Sequence, residues 1–221
     1  MTFSILARDT ETGALGGAAA TGSLCVGGWV LRGDLRAGLS ASQGKSPSTL
    51  WGDKVLQHMA NGLGAEQTVQ QVTGADSGRE YRQLSALDLH GQSGVFTGSI
   101  NEEVKDSLAF TDGIAAGNML GAKRVIPAMV EAFDVPDTGF AQRLLASLSA
   151  ARDAGGDHRG LLSAALLVLH PDQPPLTLRI DFNENDPIEA LRLLYQKATT
   201  GDYAQWLRQV PVISDRERIV D

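Results

Sequence analysis

One cysteine in 221 residues, Cys25, excludes a disulfide within the chain and any zinc site built from cysteines. Histidine is nearly as scarce. His58, His90, His158 and His170 stand singly with no His-x-x-x-His pair, so no metal site is expected. Aromatic residues make up only 5% of the chain, too few for an aromatic-rich core. No apolar stretch approaches the ~18 uninterrupted residues of a membrane span. No basic run is present against a net charge of −7 and a pI near 5.1, so a nucleic-acid partner is not expected either. Arg8 and Asp9 fall where a signal peptide would carry its apolar region. With the acidic balance, this points to a soluble, cytoplasmic protein without a membrane partner. A Gly-x-Ser-x-Gly elbow, a Walker loop and a dinucleotide fingerprint are all missing, and no cofactor is implied.

What the chain has in quantity is small residues, 25 of them glycine, beside a hydrophobic fraction of 43%. That composition favours closely packed layers joined by tight turns. Residues 2–7 and 14–21 read as two strands around the turn Asp9-Thr10-Glu11-Thr12-Gly13. The second of them, Ala-Leu-Gly-Gly-Ala-Ala-Ala-Thr, carries almost no bulk, so backbone or ligand must pack closely on it. Residues 24–31 and 36–43 read as a second strand pair, turning at Arg32-Gly33-Asp34. The period then becomes helical, with helices expected from Ser46-Pro47-Ser48 to Asn61-Gly62 and over 64–73. Strands are expected at 81–89 and 93–98, helices at 117–133 and 138–153, strands at 161–170 and 176–182, and a helix from Pro187. The run 161–170 is apolar on both faces, as a buried interior strand would be. Segregated blocks of strands and helices argue against alternating βα units. They predict an α+β fold, a four-layer αββα sandwich of two antiparallel sheets flanked by helices. No linker or repeat interrupts it, so residues 1–221 read as one domain with a short polar tail from about 210.

Several clusters carry possible chemistry. Thr2 opens the first strand and is small enough for the methionine ahead of it to be trimmed. Trimming would leave a hydroxyl and a free α-amine on one residue. With a reference pKa near ~8 the amine can accept the hydroxyl proton, so nucleophile and base come as one unit. The plainer reading is a threonine that only starts a strand, and retention of Met1 would lock the amine in a peptide bond. Arg8-Asp9 closes that strand, either as a surface ion pair or to orient an amine or a substrate carboxylate. Gln43, in Ser40-Ala41-Ser42-Gln43-Gly44, either serves the following helix start or donates to an oxyanion. Arg82 and Gln83 enter a strand that is polar for its position, where Arg82 forms a structural ion pair or grips a carboxylate bidentately. Asn118 is a helix N-cap or an oxyanion donor. Asp157 and Arg159, held among Gly155, Gly156 and Gly160, either fill a polar turn or orient a substrate.

Taken in order, Thr2-Phe3-Ser4-Ile5 with Ala7-Arg8-Asp9, the Thr12-Gly13 turn, Arg82-Gln83 with Asp88 and Gly91, Thr97-Gly98, Gly117-Asn118-Met119-Leu120, Gly155-Gly156-Asp157 with Arg159-Gly160, and Ser163-Ala164-Ala165 resemble one bacterial and archaeal family. It is the domain-of-unknown-function family 1028, which looks like an N-terminal nucleophile hydrolase. The resemblance runs from Thr2 to about Leu194 and implies the same αββα sandwich. It further implies amide-bond hydrolysis of a small amide or peptide-like substrate, with Thr2 as nucleophile and base. Asn118, Gln43 or backbone N–H groups would hold the oxyanion, and Arg8, Asp9, Arg82, Gln83, Asp157 and Arg159 would position substrate. Such sandwiches commonly assemble, so a homo-oligomer is expected. Some relatives carry a C-terminal module thought to bind peptidoglycan, which this sequence lacks. The alternative is a catalytically silent protein of the same fold that binds a small ligand.

Overall fold

A strand's side chains alternate between its faces, so a strand packed on both sides must be apolar, or small, at every position. The first two strands show both solutions. The computed structural model describes residues 2–135 and 138–219; Met1, and with it the state of the Thr2 amine, lies outside them. β1 (Thr2–Arg8) and β2 (Leu15–Thr21) form the expected hairpin. Phe3, Ile5 and Ala7 of β1 point to one side and Leu6 to the other. In β2 the small side chains admit α5 (Phe140–Asp153) almost to the backbone. A Cβ built on Gly16 would lie 2.6 Å from both Leu144 Cδ1 and Phe140 Cε1. A helix, and not a ligand, therefore accounts for the missing bulk of β2.

The remaining strands are β3 (Leu31–Asp34), β4 (Gly38–Gly44), β5 (Arg82–Asp88), β6 (Ser93–Thr97), β7 (Asp106–Phe110), β8 (Gly113–Asn118), β9 (Ser163–His170) and β10 (Gln173–Ile180). They make two antiparallel sheets, ordered β10-β9-β2-β1-β8-β7 and β3-β4-β5-β6. Leu6, Leu15, Leu31, Leu39, Leu87 and Ile114 meet between the sheets. On the outside of the larger sheet lie α4 (Val125–Phe133), α5 and α6 (Pro187–Ala198), which bury Met129, Leu144, Leu148 and Leu191. On the outside of the smaller sheet lie α2 (Thr49–Ala60) and α3 (Ala65–Gly74), which bury Trp51, Val55 and Val69. Three apolar layers between four layers of structure make the expected αββα sandwich. Each fully buried large side chain contributes about 1.5–3 kcal/mol. No described helix is long and apolar enough to cross a membrane.

The local expectations needed correction in three places. Residues 24–31 are not a strand. Val26–Trp29 form a single helical turn, α1, held where the Val26 N–H donates to Ser163 Oγ at 3.1 Å. Arg32-Gly33-Asp34 then lies inside β3, and the turn follows it, closed by the Ala37 N–H on the Asp34 carbonyl. The helix expected over 117–133 begins only at Val125. Its first two residues instead end β8, whose Ala and Gly residues carry little periodic signal but pair with β1 along their length. β7 and a last short helix, α7 (Gly201–Leu207), were not legible at all.

The packing of α5 on β2 predicts coupling between the two surfaces. Gly16→Ala and Leu144→Ala should each destabilise the protein, the second by about 2–5 kcal/mol. Together they should cost less than the sum, because the added methyl enters the vacated space. Strict additivity in urea denaturation would contradict the contact.

Candidate functional site

The inner face of the larger sheet turns polar at one end. Thr2 is paired across the sheet with Thr21 on one side and Asn118 on the other, and Thr21 with Ser163. Four neighbouring strands thus finish in one row, Ser163, Thr21, Thr2 and Asn118, all buried. The Thr2 hydroxyl donates to Thr21 Oγ1 at 3.1 Å. The Thr2 nitrogen donates to Asn118 Oδ1 at 3.1 Å. Asn118 is 0% exposed, and its Nδ2 has no hydrogen-bond partner. An N–H group in that position costs about 1–3 kcal/mol until an acceptor arrives.

The smaller sheet answers with two amides. Ser4 Oγ donates to Gln43 Oε1 at 2.8 Å. Gln43 Nε2 faces the Thr2 carbonyl at 3.3 Å, the Ala116 carbonyl at 3.2 Å and Gln83 Oε1 at 2.7 Å. Gln83 Nε2 in turn faces Thr97 Oγ1 and the carbonyls of Asp106 and Gly117. Each amide has two hydrogens and three acceptors in range, so the oxyanion role offered to Gln43 finds no N–H to spare. Both glutamines instead fasten the end of β1 and β8 to the opposite sheet.

Thr2, Thr21 and Gln43 line a cavity of about 490 Å³ that opens between the sheets. Its wall comes from the β2–β3 connection, with Leu24, Val26 and Trp29, and from Lys45, Pro47 and Met119. Met119, directly after Asn118, holds a left-handed backbone at φ 56°, uncommon outside glycine, and its carbonyl is bonded to His158 Nδ1 at 3.0 Å. Arg159 also borders the cavity, and its guanidinium donates from Nε and Nη2 to Asp157. The Asp157 side chain is wholly buried and accepts the Gly22 N–H at 2.6 Å. Position 22 has to be glycine, since a Cβ there would lie 2.5 Å from the Gly160 carbonyl.

Of the residues singled out in the sequence, the structure therefore gathers Thr2, Asn118, Gln43, Gln83, Asp157 and Arg159 at one end. It separates the other three. Arg8 and Asp9 close the far end of β1, roughly 20 Å away at the usual rise per residue; Arg8 pairs with Asp112, and Asp9 accepts from Thr12 and Glu11. Arg82 faces α2, because it shares the outward parity of Leu84 and Ala86. It pairs with Asp76 and lies 5.7 Å over the Trp51 ring. A second cavity, about 800 Å³, lies at the Asp9 end of β1 against Tyr195, whose phenol is pushed up by burial; none of the residues gathered around Thr2 borders it. Thr21, Ser23, Trp29, Lys45 and Met119 went unnoticed as site residues. For Thr21 a signal existed, since any hairpin closed at 9–14 sets it opposite Thr2. No described cluster of His, Cys, Asp or Glu could hold a metal ion.

A family model described as a family of unknown function, DUF1028, matches residues 2–191. The crystal structure of a protein from Silicibacter pomeroyi, itself assigned to DUF1028, is 64% identical. It covers 100% of this chain and 99% of its own, with a TM-score of 0.96. No curated protein matches.

Because the amide pair ties two sheets together, Gln43→Leu should lower unfolding free energy by at least about 2 kcal/mol, leaving Ser4 Oγ and Gln83 Oε1 buried without partners. Ser40→Ala, which removes one bond to the Gly52 carbonyl on the helix side, should cost about 1 kcal/mol. Chemical denaturation of both variants checks the order; equal losses would deny the network its role.

Proposed function

The chain belongs to the family of unknown function DUF1028, and from the chemistry at the end of β1 we propose that it hydrolyses an amide bond of a small substrate through Thr2 once Met1 has been removed. Thr2 Oγ1 attacks the amide carbonyl carbon, and the hydroxyl proton passes to the α-amine. The C–N bond breaks, the amine product leaves with that proton, and an ester remains on Oγ1. Water, deprotonated by the same amine, attacks the ester, releases the carboxylic acid and restores the hydroxyl.

The observation that carries this reading is the buried, unpartnered Nδ2 of Asn118 beside Thr2. A substrate carbonyl oxygen that gains negative charge in the transition state is the acceptor such a donor lacks. Asn118 Oδ1, bonded to the Thr2 nitrogen, would hold the base in place from the same side chain. Gln43 acts as a positioning residue through the Thr2 carbonyl. The four-layer sandwich, shared with N-terminal nucleophile hydrolases, supports the reading at the level of fold analogy alone. Asp157 and Arg159 shape the mouth, while Arg8, Asp9 and Arg82 have no part in it.

Intact mass of protein purified from its native host should lack one methionine. Screening small amides should then find a substrate, and Thr2→Ala should abolish turnover with the fold intact. Asn118→Ala should lower kcat by about 10²–10³-fold. The rate should rise with pH as the amine loses its proton, since below a pKa of ~8 the protonated form cannot act as base. Native protein that keeps Met1 would end the proposal in favour of a silent ligand-binding protein, and wild-type turnover in Thr2→Ala would end the role given to Thr2.

A further inference from the structure

The described residues that line the cavity beside Thr2 carry charge of one sign only. The sequence holds 26 acidic residues against 19 basic ones. Yet the described residues that line this cavity include Lys45 and Arg159 and neither an Asp nor a Glu. The acids bonded to these two cations lie outside that lining. Asp157 is wholly buried and bonded to the N–H groups of Gly22 and Arg159 as well as to the guanidinium, which fixes that guanidinium at the rim. Glu102 meets Lys45 at 3.5 Å with both side chains about half exposed, a pairing that water largely screens.

The opposite wall is apolar and unusually open. Leu24 and Trp29 are 53% and 51% exposed, at the mouth of a cavity that Pro47 and Met119 also border. An indole face left half in water gains by covering a flat apolar group, and a volume of about 490 Å³ suits a small molecule.

We propose that the ligand of this cavity is an anionic amide, with an aromatic or bulky apolar group against Trp29 and Leu24 and a free carboxylate on Arg159. This rests on the reading of Thr2 as the reacting residue and names the substrate class that goes with it. The carboxylate takes N–H groups at the outer end of the guanidinium, whose Nε and Nη2 hold Asp157, and Lys45 adds a second positive charge to the wall. A cationic or neutral amide of the same shape loses that attraction.

The test uses the full chain as the Thr2→Ala variant, so that binding is read without turnover. Its affinity for N-acetyl-L-phenylalanine, N-acetyl-L-phenylalaninamide and N-acetylglycine is measured by titration calorimetry. N-acetyl-L-phenylalanine should bind at least tenfold more tightly than either comparison compound, and added salt should weaken the two acids and not the amide. Adding Arg159→Gln should remove the preference for acid over amide, and adding Trp29→Ala should weaken both equally. Equal binding of acid and amide, or no binding of the acid at millimolar concentration, overturns the proposal; so does a preference lost with Lys45→Gln but kept with Arg159→Gln. The salt and acid-against-amide comparisons need no further variant, so they stand even if Arg159→Gln does not fold. Charge preference without hydrolysis in protein lacking Met1 would sink the hydrolase reading only. Hydrolysis without charge preference would sink only the substrate class.

Discussion

Two buried side-chain amides hold the polar end of this sandwich together. Between the sheets, apolar side chains supply most of the attraction, but attraction without direction does not set one strand end against another. Gln43 and Gln83 do that, because their N–H groups reach across to the carbonyls of Thr2, Ala116 and Gly117, and Gln43 donates to Gln83 as well. Both are essentially fully buried, so every unmade bond would be costly, and the geometry that satisfies all of them is narrow. The site is positioned by that requirement.

The same layer changes character along its length. At its middle Leu6, Leu39 and Ile114 pack as in any core. One step nearer the end Ser4 takes over, and then the row of Ser163, Thr21, Thr2 and Asn118. Strand period keeps Leu6, Ser4, Ile114 and that row on one face, so the Thr2 hydroxyl and the Asn118 amide beside it share one sheet. The rest of the wall comes mostly from connections, and the one carrying Leu24 and Trp29 is pinned by Ser163.

Much of this was legible before any coordinates. Alternation in 2–7, the hairpin turn and the segregated helical blocks gave the layer order, because those signals are local. Thr2, Asn118, Gln43 and the Asp157–Arg159 turn were recognisable as chemistry-bearing residues in ordered short motifs. What was hidden depended on long-range pairing. β8 shows only when β1 is laid beside it, for Gly-Ile-Ala-Ala-Gly-Asn has no amplitude of its own, and the helix expected from 117 takes in its last two residues. Arg82 and Gln83 looked alike at the strand start, and only the parity of β5 sends one toward α2 and the other between the sheets. Arg8 and Thr2 are close in sequence but stand at opposite ends of an extended strand, which a list of motifs does not convey.

The position of Thr2 at the cavity also bears on how the protein is handled. A fusion placed ahead of Thr2 begins one Cα step, about 3.8 Å, from that residue, and Thr2 itself lines the cavity at 8% exposure. An amino-terminal affinity tag therefore starts beside the cavity, whereas α7 and the described residues after it stand outside its lining.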